Sequence, residues 1–226
     1  MLKIFIGYDH RQPVGYNVLQ NSIMRHAKTP VALIPLVLPT LPMTRYGLTP
    51  FTYSRFLVPY LCNYEGWALF LDLDMLVRDD ITQVFELANP DFDVMVVKNK
   101  RRFEWASMML FNNNKCRALT PEFIDDPSNS GLHAIRWTCE TKIGELPAEW
   151  NHCVGYDAPR PDAKLAHFTQ GIPCFPETIQ CEYSQEWHAE HKLVNSSFPW
   201  IELMGGSVHT KQADDGKVVP KLSEAA

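Results

Sequence analysis

No run in this chain is apolar for long enough to cross a bilayer. The longest apolar stretch, Val31 to Leu38, is broken by Pro35 and falls far short of the ~20 residues a spanning helix needs. Met1 to Gly7 is a short apolar run with one lysine, stopped by Asp9, His10 and Arg11. It reads as a first strand rather than a secretory leader. The expected location is therefore cytoplasmic, with peripheral attachment to a membrane surface left open. Basic charge is not in excess. Lys and Arg number 21 against 26 Asp and Glu, a net charge of -5, which argues against a general nucleic-acid binder. An anionic ligand would need local basic residues or a metal. The six cysteines include no Cys-x-x-Cys pair, so free thiols are expected. Cys174, Cys181, His188 and His191 can be drawn as a zinc set, but their spacing matches no standard finger. Repeats and low-complexity segments are also missing.

What is present suits one α/β domain. The chain has 226 residues, 46% hydrophobic, 12% aromatic and 21% charged, enough for a sizeable core. Leu2 to Gly7, Val31 to Leu38, Trp67 to Leu71, Asp93 to Val97 and Ser107 to Phe111 read as strands. Pro13 to Ala27 reads as a helix, with Val14, Val18, Leu19 and Ile23 on one face. Thr52 is placed to cap a helix running through Leu61, with Phe56, Leu57 and Tyr60 on one side. Asp80 to Leu87 is a further helix candidate, and Pro39 to Pro50 is loop-like. Strands alternating with helices predict a Rossmann-like domain: a mainly parallel, mixed sheet flanked by helices. The expected domain is residues 1–204, followed by a polar, peripheral tail at 205–226.

One constellation stands out. Ala68-Leu69-Phe70-Leu71 runs directly into Asp72-Leu73-Asp74. Such a run is a buried strand of a parallel sheet, and in open α/β sheets the ligand crevice lies beyond the strands' carboxyl ends. Carboxylates two residues apart in extended chain point to the same side. Two like charges this close favour protonation of one unless a cation sits between them. Hard oxygen ligands suit magnesium or manganese, and an added imidazole tilts the choice to manganese. The bland alternative is a solvated turn with Arg78 as partner. Asp79-Asp80 looks like that case, an acidic helix start.

At this point the chain resembles the glycogenin-like nucleotide-sugar glycosyltransferases of the GT-A fold. The resemblance is carried by Ile4-Phe5-Ile6-Gly7-Tyr8-Asp9, by Phe51-Thr52-Tyr53-Ser54-Arg55-Phe56 before the Asp-x-Asp strand, by Leu146-Pro147 with Asn151, and by His167-Phe168-Thr169-Gln170-Gly171. It implies a single GT-A domain that uses Mn2+ or Mg2+ and a UDP-linked sugar, and a retaining, hexosyltransferase-like transfer. It implies that Gly7, Tyr8 and Asp9 form a nucleotide loop and that Arg55 supports the donor sugar or diphosphate. Asp72 would bridge ribose and metal, Asp74 and His167 would complete the protein ligands, and Leu73, Ser107 and Gly171 would line the donor site. Asn151 would lie near the transferred sugar. Arg55 and Asn151 are thus the candidates for catalysis. The acceptor, whether glycan, lipid-linked sugar or protein, is not specified. The chain departs from the family where Trp105-Ala106-Ser107 replaces an Asn-Ala-Gly. An Asp-Gln pair after that strand has no counterpart, and Ile172-Pro173-Cys174 stands where a phosphate-binding lysine is expected.

The chemistry agrees with the motifs. A metal on the diphosphate stabilises the departing nucleoside diphosphate. A glycoside hydrolase would instead need two carboxylates flanking the bond. Each candidate has a plainer reading: a structural His167, a salt-bridged Arg55, and a helix-capping turn at Tyr8-Asp9. Trp105, Trp137 and Trp150 read as core before sugar stacking. The basic run Lys98 to Arg102 reads as a solvated loop before an aid to an anionic acceptor or a membrane surface. Two rivals stand beside the transferase: a nucleotide-sugar-binding protein with decayed catalysis, and a haloacid-dehalogenase-like phosphohydrolase. In the latter family Gly-Thr usually follows the second Asp, where this chain has Met75-Leu76.

Overall fold

The computed structural model describes residues 1–195. Its strands are β1 (Leu2–Gly7), β2 (Val31–Leu36), β3 (Trp67–Leu71), β4 (Met75–Val77), β5 (Val94–Val97), β6 (Met108–Asn112), β7 (Ile143–Leu146), β8 (His152–Cys153) and β9 (Leu165–His167). Its α-helices are α1 (Pro13–His26), α2 (Phe51–Ser54), α3 (Val58–Leu61), α4 (Gln83–Glu86), α5 (Pro121–Asp125) and α6 (Ser184–Asn195). The main sheet has the order β2-β1-β3-β6-β5-β7, and a smaller sheet has the order β4-β9-β8. In the main sheet only β6 runs against its neighbours, while β1 is parallel to β2 and β3, and β5 to β7. The expected mainly parallel, mixed sheet is present.

The strands at the centre are apolar along almost their whole length. Ala68 to Leu71 of β3 and Met108 to Phe111 of β6 are fully buried, the pattern of strands covered on both faces. Helix α1 starts on a proline, whose missing N–H costs nothing there, and buries Gly15, Val18, Leu19, Ser22 and Ile23. Arg25 and His26 occupy its last turn, where positive charge complements the helix dipole.

Three local expectations are corrected. The predicted helix from Thr52 to Leu61 is broken into α2, a 3-10 turn at Arg55–Leu57, and α3. Thr52 does not cap it: its hydroxyl accepts from Thr49 N, and the helix begins one residue earlier. The tighter turn, followed by Pro59, rotates Tyr60 off the buried face, so it is 38% exposed. The predicted helix Asp80 to Leu87 contracts to α4, because Asp80 spends its carboxylate on Thr82 N and Oγ1. The predicted strand Ser107 to Phe111 begins instead at Met108, and Ser107 ends a 3-10 turn spanning Arg102–Ser107. Residues Met1–Val194 form one unit by their internal contacts. The expected tail at 205–226, and 196–204 before it, lie outside the described residues.

The junction of the two sheets positions the site. Asp72 N donates to Ser107 O at 2.9 Å, and Phe168 N donates to Asp74 O at 2.9 Å. Strand β4 begins directly after Asp74, and its first residue, Met75, pairs with His167 at the end of β9. The acidic corner between β3 and β4 is thereby brought beside a histidine ninety-three positions further along the chain.

Candidate metal and donor site

Asp72, Asp74 and His167 each offer a ligand atom within 4.8 Å of the others. Asp72 and His167 are buried, and the Asp74 side chain keeps 26% exposure. Asp74 Oδ1 lies 3.4 Å from His167 Nε2. Asp72 Oδ1 and Asp74 Oδ1 are both buried and meet only ion-pair partners, Arg55 Nη1 at 3.0 Å and His167 Nε2 at 3.4 Å. Each oxygen keeps acceptor capacity beyond its single ion pair, and a cation between the two acids would fill it. Two carboxylates with one imidazole are a donor set that suits manganese or magnesium. The residues fit the metal that the pattern implies.

Protonation shows the same tension. Burial pushes Asp72 up to about 7, although Arg55 opposes it, with Oδ1 only 3.0 Å from Nη1. Burial works against a proton on His167, but the Asp74 carboxylate beside it holds its pKa well above the ordinary imidazole value. Without metal, a proton on His167 partly compensates the acids. A metal would take its place.

A chain of hydrogen bonds behind His167 fixes which nitrogen faces the acids. Ser107 Oγ donates to Glu104 O at 2.6 Å, and Asn151 Nδ2 donates to Ser107 Oγ at 2.9 Å. The amide end of Asn151 is thereby assigned, and its Oδ1 faces His167 Nδ1 at 3.1 Å. Nδ1 then carries hydrogen, and Nε2 is the nitrogen free to ligate, the usual arrangement behind a metal-bound histidine.

Several expected donor contacts turn out to have work inside the protein. Asn151 is fully buried and holds His167 instead of facing an open sugar site. Ser107 is 2% exposed and stands in the same network. Arg55 donates to Asp72 Oδ2 at 3.2 Å, Ala106 O at 2.8 Å and Phe51 O at 3.3 Å, so it steadies an acid more than it reaches outward. Asp9 is fully buried and bonds the Arg11 backbone and guanidinium. This side-chain hydrogen bonding to Arg11 lowers its pKa despite burial. Tyr8 packs edge-on against Tyr16. Gly7 is needed for packing, since a Cβ there would sit 2.5 Å from the Phe51 ring. Leu73 is 1% exposed. Gly171, at φ +119, makes the turn after Phe168 in a conformation that favours glycine.

Arg78, the alternative partner for the acids, pairs with Glu186. Among the described residues, Cys174, Cys181, His188 and His191 do not form a group able to share one ion. Sequence reasoning missed Glu104 and Cys153, which form a second close group with His167. Glu104 lies two residues after the basic run, and nothing in its local sequence marks it as buried.

Comparison with known proteins fits this architecture. The chain is 29% identical over 249 residues to Protein CDI of Arabidopsis thaliana, covering 95% of this chain and 91% of that protein. The bifunctional glycosyltransferase WbbM superposes with a TM-score of 0.66 at 15% identity, over 88% of this chain and 50% of that one. The galactosyltransferase LgtC, solved with donor and acceptor sugar analogues, gives 0.64 at 11% identity, over 86% and 97%. The glycosyltransferase GlyE of Streptococcus pneumoniae gives 0.65 at 16%, over 84% and 61%. The fold is the GT-A fold. This chain therefore spans about half the length of WbbM and under two thirds of GlyE. No family model matches the sequence. No described helix is long and apolar enough to cross a membrane.

Proposed function

We propose that this protein is a metal-dependent glycosyltransferase that moves a sugar from a nucleoside diphosphate sugar, UDP-linked, to an acceptor hydroxyl. The observation that carries the reading is the Asp72, Asp74 and His167 trio on a GT-A fold, with two buried carboxylate oxygens that accept no hydrogen bond and a histidine held in the ligating tautomer. These three residues would hold Mn2+ or Mg2+. Bound there, the ion supplies Lewis-acid stabilisation of the departing diphosphate. The chain's own residues do the rest of the positioning. Arg55 fixes Asp72 from the core side, and Asn151 with Ser107 fixes the His167 ring. The β3–β4 corner lies at the carboxyl end of β3, the side on which open α/β sheets take their ligands.

The alternative phosphohydrolase reading is weakened by topology, since the acid pair follows the third strand and β6 runs antiparallel within the sheet. Calorimetric titration of UDP with and without manganese tests the proposal, together with release of UDP from UDP-glucose and UDP-galactose. Manganese-dependent binding with slow release of UDP is expected. Binding without any release would favour the decayed, binding-only form. No difference between manganese and chelator would remove the metal from the reading.

A further inference from the structure

The basic run from Lys98 to Arg102 supplies nothing to the metal site, yet the fold sets it at the same end of the sheet. Met109 of β6 pairs antiparallel with both Phe70 of β3 and Val96 of β5, so β3 and β5 are parallel. Asp72 follows the carboxyl end of β3, and Lys98 follows the carboxyl end of β5. Lys98, Lys100, Arg101 and Arg102 stand together on a chain whose net charge is -5. Lys98, Lys100 and Arg101 are exposed. Among the described residues only Arg102 of the four forms an ion pair, with Glu140. The other nearby acids are engaged: Asp157 accepts the Cys153 N–H at 2.9 Å, and Glu104 accepts from Thr169 Oγ1 at 2.9 Å.

The segment is braced from within. Trp105 Nε1 donates to Asn99 O at 2.8 Å, and Arg102 Nη2 donates to Ala134 O at 2.9 Å. The Arg101 guanidinium lies 3.7 Å from the Tyr156 ring centroid. Directly after the run stands Phe103, 67% exposed. One face of its ring stacks on His133 at 5.2 Å and 9°. Burial pushes His133 down to about 3, so the support under Phe103 is uncharged near neutrality.

The combination selects a partner. Cations alone suit any polyanion, nucleic acid included. Stacking on single-stranded bases uses aromatics spread along a basic track, whereas Lys98 to Phe103 carries one strongly exposed ring with one face already taken. A phenyl ring beside four cations gains most where an apolar layer lies just beneath an anionic surface, which describes a bilayer with acidic headgroups. We propose that Lys98 to Phe103 docks on an anionic bilayer, with its cations at the headgroups and Phe103 at the boundary with the acyl chains. Docked this way, the end of the sheet that carries Asp72 and Asp74 faces the membrane. A membrane-borne acceptor follows only with the glycosyltransferase reading; the docking itself does not rest on it. One apolar side chain with a basic patch makes such binding reversible.

The test uses the full chain and co-sedimentation with vesicles of phosphatidylcholine, alone or with phosphatidylserine in about a two-to-one mixture. The protein should bind the mixed vesicles about tenfold or more tightly than phosphatidylcholine alone, and salt should release it. Lys100→Glu with Arg101→Glu should weaken binding by more than about tenfold. Lys28→Glu with Arg117→Glu is the matched control. Lys28 precedes β2 and Arg117 lies over Tyr64 before β3, so the same change of net charge falls at the opposite end of the sheet and should alter binding less than about twofold. Phe103→Ala should weaken binding about threefold or more, and Phe103→Leu should restore most of it. Far-UV circular dichroism checks that each variant is folded. Equal binding to both vesicle types, equal losses in the near and distal pairs, or no loss in Phe103→Ala each overturns the proposal. Tighter capture of single-stranded RNA than of mixed vesicles, lost with the Lys100 and Arg101 pair, would give the patch to nucleic acid and overturn it too. UDP calorimetry on the same protein reports the function above separately: failure of UDP to bind would sink that function, and the vesicle arms would still decide the docking surface.

Discussion

Two acidic pairs lie within nine residues of each other, Asp72 with Asp74 and Asp79 with Asp80, and they have opposite fates. Asp79 Oδ1 accepts the Asp80 N–H at 2.7 Å, and this bond lowers its pKa. Burial works against the charge on Asp80, but Thr82 and the Lys28 N–H outweigh it and lower its pKa as well. The Asp72 pKa is raised to about 7 because burial dominates, and Asp72 and Asp74 each keep a buried oxygen with no hydrogen-bond partner. Composition does not separate the pairs. What separates them is whether the surrounding chain supplies donors. An acid whose lone pairs are met by backbone and hydroxyl groups holds a turn together. The acid pair at the sheet corner is met mainly by ion pairs with Arg55 and His167 and keeps acceptor capacity that the chain does not fill.

The largest expected effect breaks this contrast most directly. Asp74→Ala should weaken manganese-dependent UDP binding by more than about a hundredfold, since even the residues behind a metal ligand are worth about 10- to 100-fold. Far-UV circular dichroism should be unchanged, because the side chain is partly exposed at a strand end. Undiminished calorimetric affinity would place the metal elsewhere. Asn151→Leu comes next. It removes the acceptor that fixes the His167 tautomer, so manganese affinity should fall about 10- to 100-fold. Asn151→Asp, which restores an acceptor at Nδ1, should recover most of it. Equal losses in both variants would mean that Asn151 acts only through packing.

The pH dependence follows from the same pair. The folded pKa of Asp72, about 7, lies above its ordinary value of 3.8, so between roughly pH 4 and 7 the unfolded chain releases that proton first. The metal-free fold therefore loses stability as pH rises through this window. His167 is shifted in the same direction. It stabilises the fold below the ordinary imidazole range, and this contribution is lost as pH rises through its elevated value. Metal needs both groups deprotonated, so manganese affinity should climb by up to about tenfold per pH unit approaching neutrality. Thermal unfolding with chelator and with manganese should show opposite slopes. Parallel slopes would mean that the metal does not displace these protons.

Much of this arrangement is legible in the sequence, and the limit has a physical cause. The strand carrying the acids is a contiguous apolar run, so its place and its exit into Asp72 are fixed locally. His167 is found because another short apolar run, Leu165-Ala166, ends on it. Residues whose surroundings depend on long-range partners are harder to place. Asn151 and Arg55 have the right chemistry to touch a sugar, yet folding turns them inward to His167 and Asp72. Glu104 looks like the end of a basic surface loop, and only the 3-10 turn at Arg102–Ser107 carries it under Thr169. The break in the Thr52–Leu61 helix has a similar origin, since apolar spacing does not say where a helix tightens.

The structural pair supplies the smaller effects. Asp80→Ala removes the acceptor for Thr82 and Lys28 and should cost about 1 kcal/mol of stability in urea unfolding, with UDP affinity unchanged. Asp79→Asn should cost less. Its side chain is 41% exposed and its ion pair with Lys164 is 3.4 Å long, so screening by solvent leaves roughly 0–1 kcal/mol. Asparagine keeps an oxygen for the Asp80 N–H, so the turn itself should survive. A double-mutant cycle of Asp79→Asn with Lys164→Met isolates the ion pair and should give a coupling near the bottom of that range. A coupling well above it would show that Asp79 is not the solvated turn acid its hydrogen bonds describe, and the two pairs would differ in degree only. A loss of manganese affinity in Asp79→Asn would go further. It would extend the metal site past β4 and join the two pairs into one acidic surface.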